Sequence, residues 1–237
     1  MEGNGKEFNR PRAVYIGHDP RQPLSYNVMR YSVESRASAP ISVNGLFLNQ
    51  LPITRQGATE FTFSRFLVPW LMNFEGIGIF ADEDMVVTGD IWELFAHAKK
   101  IPGEWDVAVY KEQVEFEWPS VMVFNNKNLS HMTPDFVDDK TNGLFDFKWA
   151  DKIADIPSEW NHCVGMMEPK EAKLYHYTQG IPFWPECRGL PEDEHWFEAF
   201  DDMKKSVDWI DLHAGTKHFS SVMQRHLAKY GISITKQ

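Results

Sequence analysis

The feature that most constrains this chain is a short apolar run that stops on acids. Gly76–Ala81 (GIGIFA) reads as a buried β-strand, and Asp82-Glu83-Asp84 follow it without a break. In open α/β sheets ligands bind beyond the carboxyl ends of the strands, where these acids fall. If the backbone stays extended, Asp82 and Asp84 point to one side and Glu83 to the other. Two carboxylates on one side of a strand end suit a hard divalent cation, which can bridge them to phosphate oxygens. The competing reading is a solvated acidic turn, the commoner outcome for an arbitrary D-x-D.

The remaining pattern supplies the layers around that strand. Ala13–Gly17 (AVYIG) is a second apolar run ended by glycine, with a His18-Asp19-Pro20-Arg21 turn after it. Leu24–Ser35 reads as a helix, and Ile41–Leu48, Trp105–Tyr110, Ser120–Phe124 and Leu174–Tyr177 as strands. Phe61–Phe74 repeats apolar residues near a 3.6-residue period, so it predicts a helix that Pro69 kinks or limits. Asp90-Ile91-Trp92-Glu93 resembles a capping box opening a helix through Lys100, and Thr133-Pro134 a cap with proline at the first helical position. Asp193–Ile210 and Lys217–Tyr230 read as two amphipathic helices. Strands alternating with helices predict an α/β fold with a mostly parallel sheet. Residues 1–11 are expected to be a flexible arm, 12–237 a single domain, and 192–237 its helical C-terminal part.

Composition narrows the function. Hydrophobic residues make up 43% and aromatics 14%, enough to fill a core and to argue against intrinsic disorder. The net charge is −10 and no run of Lys and Arg exceeds two residues, so general nucleic-acid binding is not expected. An acidic protein that handles a polyanion must supply cations locally, from a few arginines or a metal. Cys163 and Cys187 lie in no thiolate metal spacing, which suggests a reducing compartment. The polar first dozen residues hold no signal peptide, and no apolar stretch could span a bilayer. The expectation is a soluble cytoplasmic protein without a transmembrane segment.

Further candidates stand at strand ends and on one helix. His176 ends the run Leu174-Tyr175-His176; a lone histidine there is more often structural. If the fold brought it to the acidic pair, imidazole with carboxylates would fit Mn²⁺ better than Mg²⁺. Arg65, between Ser64 and Phe66, is either a surface arginine covering the core or a guanidinium aimed at a diphosphate. Asn125-Asn126 suit a turn as well as sugar hydroxyls. Trp196 is a sugar-stacking candidate whose plainer reading is core packing.

Six segments, in order from about Arg12 to Trp184, resemble glycosyltransferase family 8, the glycogenin-like GT-A enzymes, and among them the small bacterial and viral members. AVYIGHDPRQ is similar to their nucleotide-binding strand and loop, and ATEFTFSRFLVPWL to their arginine-bearing helix. GIGIFADEDMVVTGDIWELF is similar to the D-x-D segment, SVMVFNN to the strand ending in asparagine, IPSEWNHCVG to the L-P-x-x-W-N element, and KLYHYTQGIPFW to the histidine motif. The resemblance implies a GT-A fold with one Rossmann-like domain. It implies that Asp82, Asp84 and His176 hold Mn²⁺ (or Mg²⁺), and that Tyr15, Ile16 and Asp19 cradle the nucleotide. Arg65 and Asn125 would face the sugar and phosphates, with Arg21, Glu83 and Gly180 beside the donor. The donor would be a nucleotide-diphosphate sugar, a UDP-sugar by the family's habit. The acceptor is open: a glycan, protein, small molecule or modified nucleic acid. A viral protein acting in a host cytoplasm falls within the same resemblance.

Two departures matter. The family's histidine motif often continues to a lysine on the diphosphate, whereas Gly180-Ile181-Pro182-Phe183-Trp184 has none. Arg21, Arg65 or Arg188 could replace its charge. Many members of the family carry an Asp-Gln pair that faces the anomeric carbon; this sequence shows no such pair, and Asp138 and Asp139 are the nearest acidic candidates for a catalytic role beside Arg65. The family implies retention; a front-face attack would need no protein nucleophile, and a double displacement through a carboxylate is the alternative. The rival readings are a nucleotidyltransferase or nucleotide-sugar hydrolase, and a non-catalytic nucleotide-sugar-binding module.

Overall fold

A computed structural model describes residues 11–112, 115–207 and 229. In chain order the elements are strand β1 (Arg12–Gly17), helix α1 (Pro23–Arg36), strand β2 (Ser42–Leu46), short helices α2 (Phe61–Ser64) and α3 (Val68–Leu71), strands β3 (Ile77–Ala81) and β4 (Met85–Val87), helix α4 (Ile91–Lys100), strands β5 (Val107–Val109) and β6 (Val121–Asn125), helix α5 (Pro134–Asp138), strands β7 (Ile153–Asp155), β8 (His162–Cys163) and β9 (Leu174–His176), and helix α6 (Asp193–Val207). Six strands form a central sheet in the order β2-β1-β3-β6-β5-β7; β6 runs antiparallel to both neighbours and every other pair is parallel. The other three form a second sheet, β4-β9-β8. Only Asp82-Glu83-Asp84 separate β3 from β4, so the acidic triplet is a direct joint between the two sheets.

Alternation along the strands builds a core on each face of the central sheet. Val14, Ile16, Ile79 and Ala81 pack with Met29 and Val33 of α1 and Leu94 and Phe95 of α4. Ala13, Tyr15 and Phe80 point the other way, onto Phe61, Phe66 and Leu67. Helix α1 begins on Pro23, where the missing N–H is no loss, and buries Tyr26, Met29 and Val33 on one stripe. A third cluster lies beyond the second sheet, where Val86, Tyr175 and Tyr177 meet Trp196, Ala199 and Met203 of α6.

Several sequence expectations are corrected. The helix over Phe61–Phe74 is three pieces: α2, a 3₁₀ turn at Arg65–Leu67, and α3, with Pro69 in the first turn of α3. The segment ends at Asn73 and Phe74, both at positive φ, before Gly76 at φ 69°. A Cβ on Gly76 would stand 1.9 Å from the carbonyl oxygen of Pro11, which accepts the N–H of Ile77, so this close approach requires glycine. Asp90 does cap α4, accepting the Trp92 N–H at 3.0 Å, but Glu93 does not close the box; it pairs with Lys173. Strands β4, β7 and β8, of three, three and two residues, escaped the sequence reading because so few residues show no period. Residues 1–10, the last three positions of the helix expected at Asp193–Ile210 and, Lys229 apart, the helix expected at Lys217–Tyr230 lie outside the described residues. Among the described residues no helix is long and apolar enough to cross a membrane.

Trp196 is fully buried, stacked on Phe200 at 5.1 Å, so it packs the core and offers no face to a sugar. Trp196→Ala should cost about 3–5 kcal/mol in denaturant unfolding. Trp184→Ala, at a ring left 45% exposed, should cost less than about 1 kcal/mol. Equal costs at the two sites would show that α6 contributes no core.

Candidate functional site

Backbone pairing fixes both sides of the joint. The Asp82 N–H donates to the Ser120 carbonyl at 3.0 Å, which ties the end of β3 to the start of β6. The Tyr177 N–H donates to the Asp84 carbonyl at 2.9 Å, and Met85 stands in register with His176. The ladder between β4 and β9 therefore carries the imidazole to the D-x-D. His176 Nε2 lies 3.3 Å from Asp84 Oδ1 and 4.0 Å from Asp82 Oδ2. One ligand atom from each of Asp82, Asp84 and His176 lies within 4.8 Å of the others. Glu83 turns the opposite way, is buried, and accepts the Asp19 N–H at 2.9 Å.

The surroundings are short of positive charge. Arg65 is buried, not a surface arginine; its Nη1 donates to the Pro119 carbonyl at 2.7 Å and stands 3.1 Å from Asp82 Oδ1. Buried Glu117 approaches the far side of His176, Oε2 to Nδ1 at 3.5 Å. Burial pushes the Asp82 carboxyl up to about 7; Arg65 opposes the shift and Asp84 adds to it. Burial likewise pushes Glu83 up to about 8. Burial alone would lower His176, but the neighbouring Asp84 charge outweighs it and raises the imidazole well above its ordinary range. Carboxyls this high are those of an acidic cluster without enough counter-charge.

These residues fit a divalent cation. Asp82 Oδ1 and Asp84 Oδ1 are buried and accept no hydrogen bond, although Arg65 and His176 stand within ion-pair reach. Orphaned acceptors of this kind call for a missing partner. Two carboxylates and one imidazole form a mixed O/N donor set suited to Mn²⁺, and less to Mg²⁺ with its preference for oxygen.

The end of β1 flanks the joint, because Tyr15 and Ile16 pair with Phe80 and Ala81. Tyr15 and Ile16 are buried in the strand. Asp19 follows, fully buried; its carboxylate takes the Arg21 Nε–H at 2.8 Å and the Arg21 backbone N–H at 2.9 Å, and Arg21 holds it below the usual carboxylate range. Arg21 also donates to the Ala58 carbonyl. Gly17 leaves space that Phe61 fills, since a Cβ there would sit 2.5 Å from the ring.

Other candidates lie elsewhere. Asn125 is not at the site: β6 is antiparallel, so Asn125 pairs with Ile77 at the start of β3 while Val121 pairs with Ala81. Its amide donates to the Trp105 carbonyl at 2.8 Å. Ser120, at the other end of β6, stands beside the acids instead. Asp138 and Asp139 are structural and do not join the cluster. Asp138 accepts the N–H groups of Thr54 and Arg55 and the Thr54 hydroxyl, while Asp139 accepts from Thr141. Gly180 closes the turn after His176 at φ 115°, its N–H on the Tyr177 carbonyl. Arg188 spends its guanidinium on the Pro182 and Phe183 carbonyls. Sequence reasoning missed Glu117 and Cys163, both buried against His176 Nδ1. An acid in the apolar stretch FEWPS was the only available signal for Glu117.

No family model matches the sequence. The chain is similar to the curated Protein CDI of Arabidopsis thaliana, 28% identical over 246 residues and 88% of each protein. Among solved structures it is similar to the glycosyltransferase GlyE of Streptococcus pneumoniae TIGR4, with TM-score 0.58, 18% identity and 83% of this chain covered. It is also similar to the WbbM bifunctional glycosyltransferase (TM-score 0.57, 16% identity, 84% covered) and to the galactosyltransferase LgtC in complex with donor and acceptor sugar analogs (0.52, 12%, 84%). The match spans 52% of the WbbM chain, 65% of GlyE and 99% of LgtC. The fold is the GT-A fold of these glycosyltransferases, mixed α/β with a mostly parallel central sheet.

Asp138 supplies a check on its reassignment. Burial acts to raise its carboxyl, but the hydrogen bonds from Arg55 and Thr54 outweigh it and hold it below the usual range. A carboxyl lowered on folding stabilises above its unfolded pKa of about 4 and loses that contribution as the pH falls through the folded value. Asp138→Ala should cost about 1–3 kcal/mol at pH 7, with the deficit shrinking in acid, and should leave metal binding unchanged. Lost metal binding in a folded Asp138→Ala protein would return the residue to the site.

Proposed function

We propose that this protein is a metal-dependent glycosyltransferase of the glycogenin-like family 8 kind, transferring a sugar from a nucleotide-diphosphate sugar to an acceptor with retention. The convergence of Asp82, Asp84 and His176 at the joint between the sheets carries the reading. The GT-A fold shared with glycosyltransferases supports it. A divalent cation on these three side chains would supply the positive charge on which a diphosphate leaving group departs.

The chain's own residues do the rest. Arg65, fixed by the Pro119 carbonyl, presents a buried guanidinium beside Asp82 for the diphosphate. The β1 end and the Asp19 loop, locked to Glu83, form the wall against which the nucleotide rests. Retention comes from the family resemblance; a front-face attack, with the departing phosphate taking the acceptor's proton, needs no protein nucleophile, and Asp138 and Asp139 are occupied by Thr54, Arg55 and Thr141. We assign uridine diphosphate as the carrier from the family resemblance.

Asp84→Ala should fold normally, since Asp84 is part-exposed, yet lose Mn²⁺ binding by calorimetry and all transfer. Full transfer by the folded variant, or by wild type in excess chelator, would overturn the metal role. With Mn²⁺ present, uridine diphosphate at 100 times its Kd should add about 2.7 kcal/mol of stability, and none without the metal. Stabilisation by the guanosine nucleotide alone would overturn the donor. Free sugar as the sole product with every acceptor tried would make the protein a hydrolase.

A further inference from the structure

His176 has two ring nitrogens, and only Nε2 faces the D-x-D. Nδ1 faces the other way, toward buried Glu117 and Cys163. Glu117 Oε2 stands 3.5 Å from Nδ1, and Cys163 Sγ stands 3.6 Å away. The separations are nearly equal, so chemistry decides between them. A carboxylate accepts strongly from an N–H, whereas a thiol is a weak acceptor. The ring makes its Nδ1 hydrogen bond with Cys163 Sγ, and Glu117 Oε2 stands at ion-pair distance, where it is the stronger of the two acceptors for an Nδ1 proton.

Glu117 is itself held on several sides. It is 3% exposed, and the Thr178 hydroxyl donates to its Oε1 at 3.1 Å. Its carbonyl accepts from the Ser120 hydroxyl and from the Asn161 amide at 3.3 Å. The same turn, Glu115–Ser120, also presents the Pro119 carbonyl to Arg65 and the Ser120 carbonyl to the Asp82 N–H. One short segment thus touches three members of the site. Metal-bound histidines almost always donate their second N–H to such a partner, which fixes the ring and leaves the ligating nitrogen with its lone pair.

We infer that Glu117 is the positioning residue for His176, attracting the Nδ1 side of the ring so that Nε2 is the nitrogen turned to Asp82 and Asp84 and left to ligate. The metal half of this inference rests on the function proposed above; the ring contact does not.

Glu117→Gln tests it, because the amide keeps the volume and the Thr178 partner and removes the charge. Mn²⁺ affinity by calorimetry should fall about 10–100-fold, the usual loss for such a partner. Cys163→Ala should change it less than Glu117→Gln does. In metal-free protein, the downfield NMR signal of the Nδ1 proton should be present in wild type and lost or moved upfield in Glu117→Gln. If Glu117→Gln does not fold, Thr178→Val, which frees Oε1 at a part-exposed position, should weaken Mn²⁺ binding several-fold in its place. Unchanged affinity in the folded Glu117→Gln protein, or in Thr178→Val, overturns the positioning role. So does an Nδ1 signal indifferent to Glu117. If wild type binds no Mn²⁺ while that signal still depends on Glu117, the metal reading fails and the contact stands.

Discussion

Everything at the site depends on three consecutive acids, the middle one buried, that carry the chain directly from one sheet to the other. Strand β3 of the central sheet ends at Ala81, β4 of the second sheet begins at Met85, and Asp82-Glu83-Asp84 cross between them. Extended backbone sends alternate side chains to opposite sides, so one crossing serves two ends. Asp82 and Asp84 face His176 and Arg65, and Glu83 locks the loop that follows β1. Backbone bonds on each flank, to Ser120 and from Tyr177, leave the triplet little freedom.

Such a joint is costly by itself. Desolvated like charges oppose folding, and the raised carboxyls of Asp82 and Glu83 express that cost. The offset comes from apolar layers on both faces of β3 and from the aromatic packing beneath α6. A polar cluster carried by a rigid apolar frame is the usual arrangement where local stability has been given up for binding. Arg65 shows the same logic at one residue: its guanidinium lies among the rings of Phe61 and Phe80, leaving the charge desolvated and directed.

Much of the fold was legible because local physics decides it. The apolar runs at Val14–Ile16 and Ile79–Ala81 could only be buried strands, and Asp90 and Thr133 could satisfy helix N–H groups from their own neighbourhood. The directions of strands were not legible. Asn125 was placed at the site by the family resemblance; β6 runs against its neighbours, and Ser120 lies there in its place. Nothing within five residues carries strand direction, which comes from the path of the whole chain. Two- and three-residue strands such as β8 and β4 are also invisible, since they exist only as partners of β9.

The sequence by itself determined that an acidic pair would stand at the end of a buried strand, with its middle residue turned away, because alternation is a property of the backbone. Tertiary structure alone decided what the pair would meet. Asp84 and His176 are ninety-odd positions apart, and only the β4–β9 ladder sets them 3.3 Å apart. Glu117 reached the back of the same ring from a third segment, with no local pattern to announce it. Meetings of this kind come from closing long loops against their entropy, which the burial of both faces of the sheet must overcome, and no short stretch of sequence records that balance.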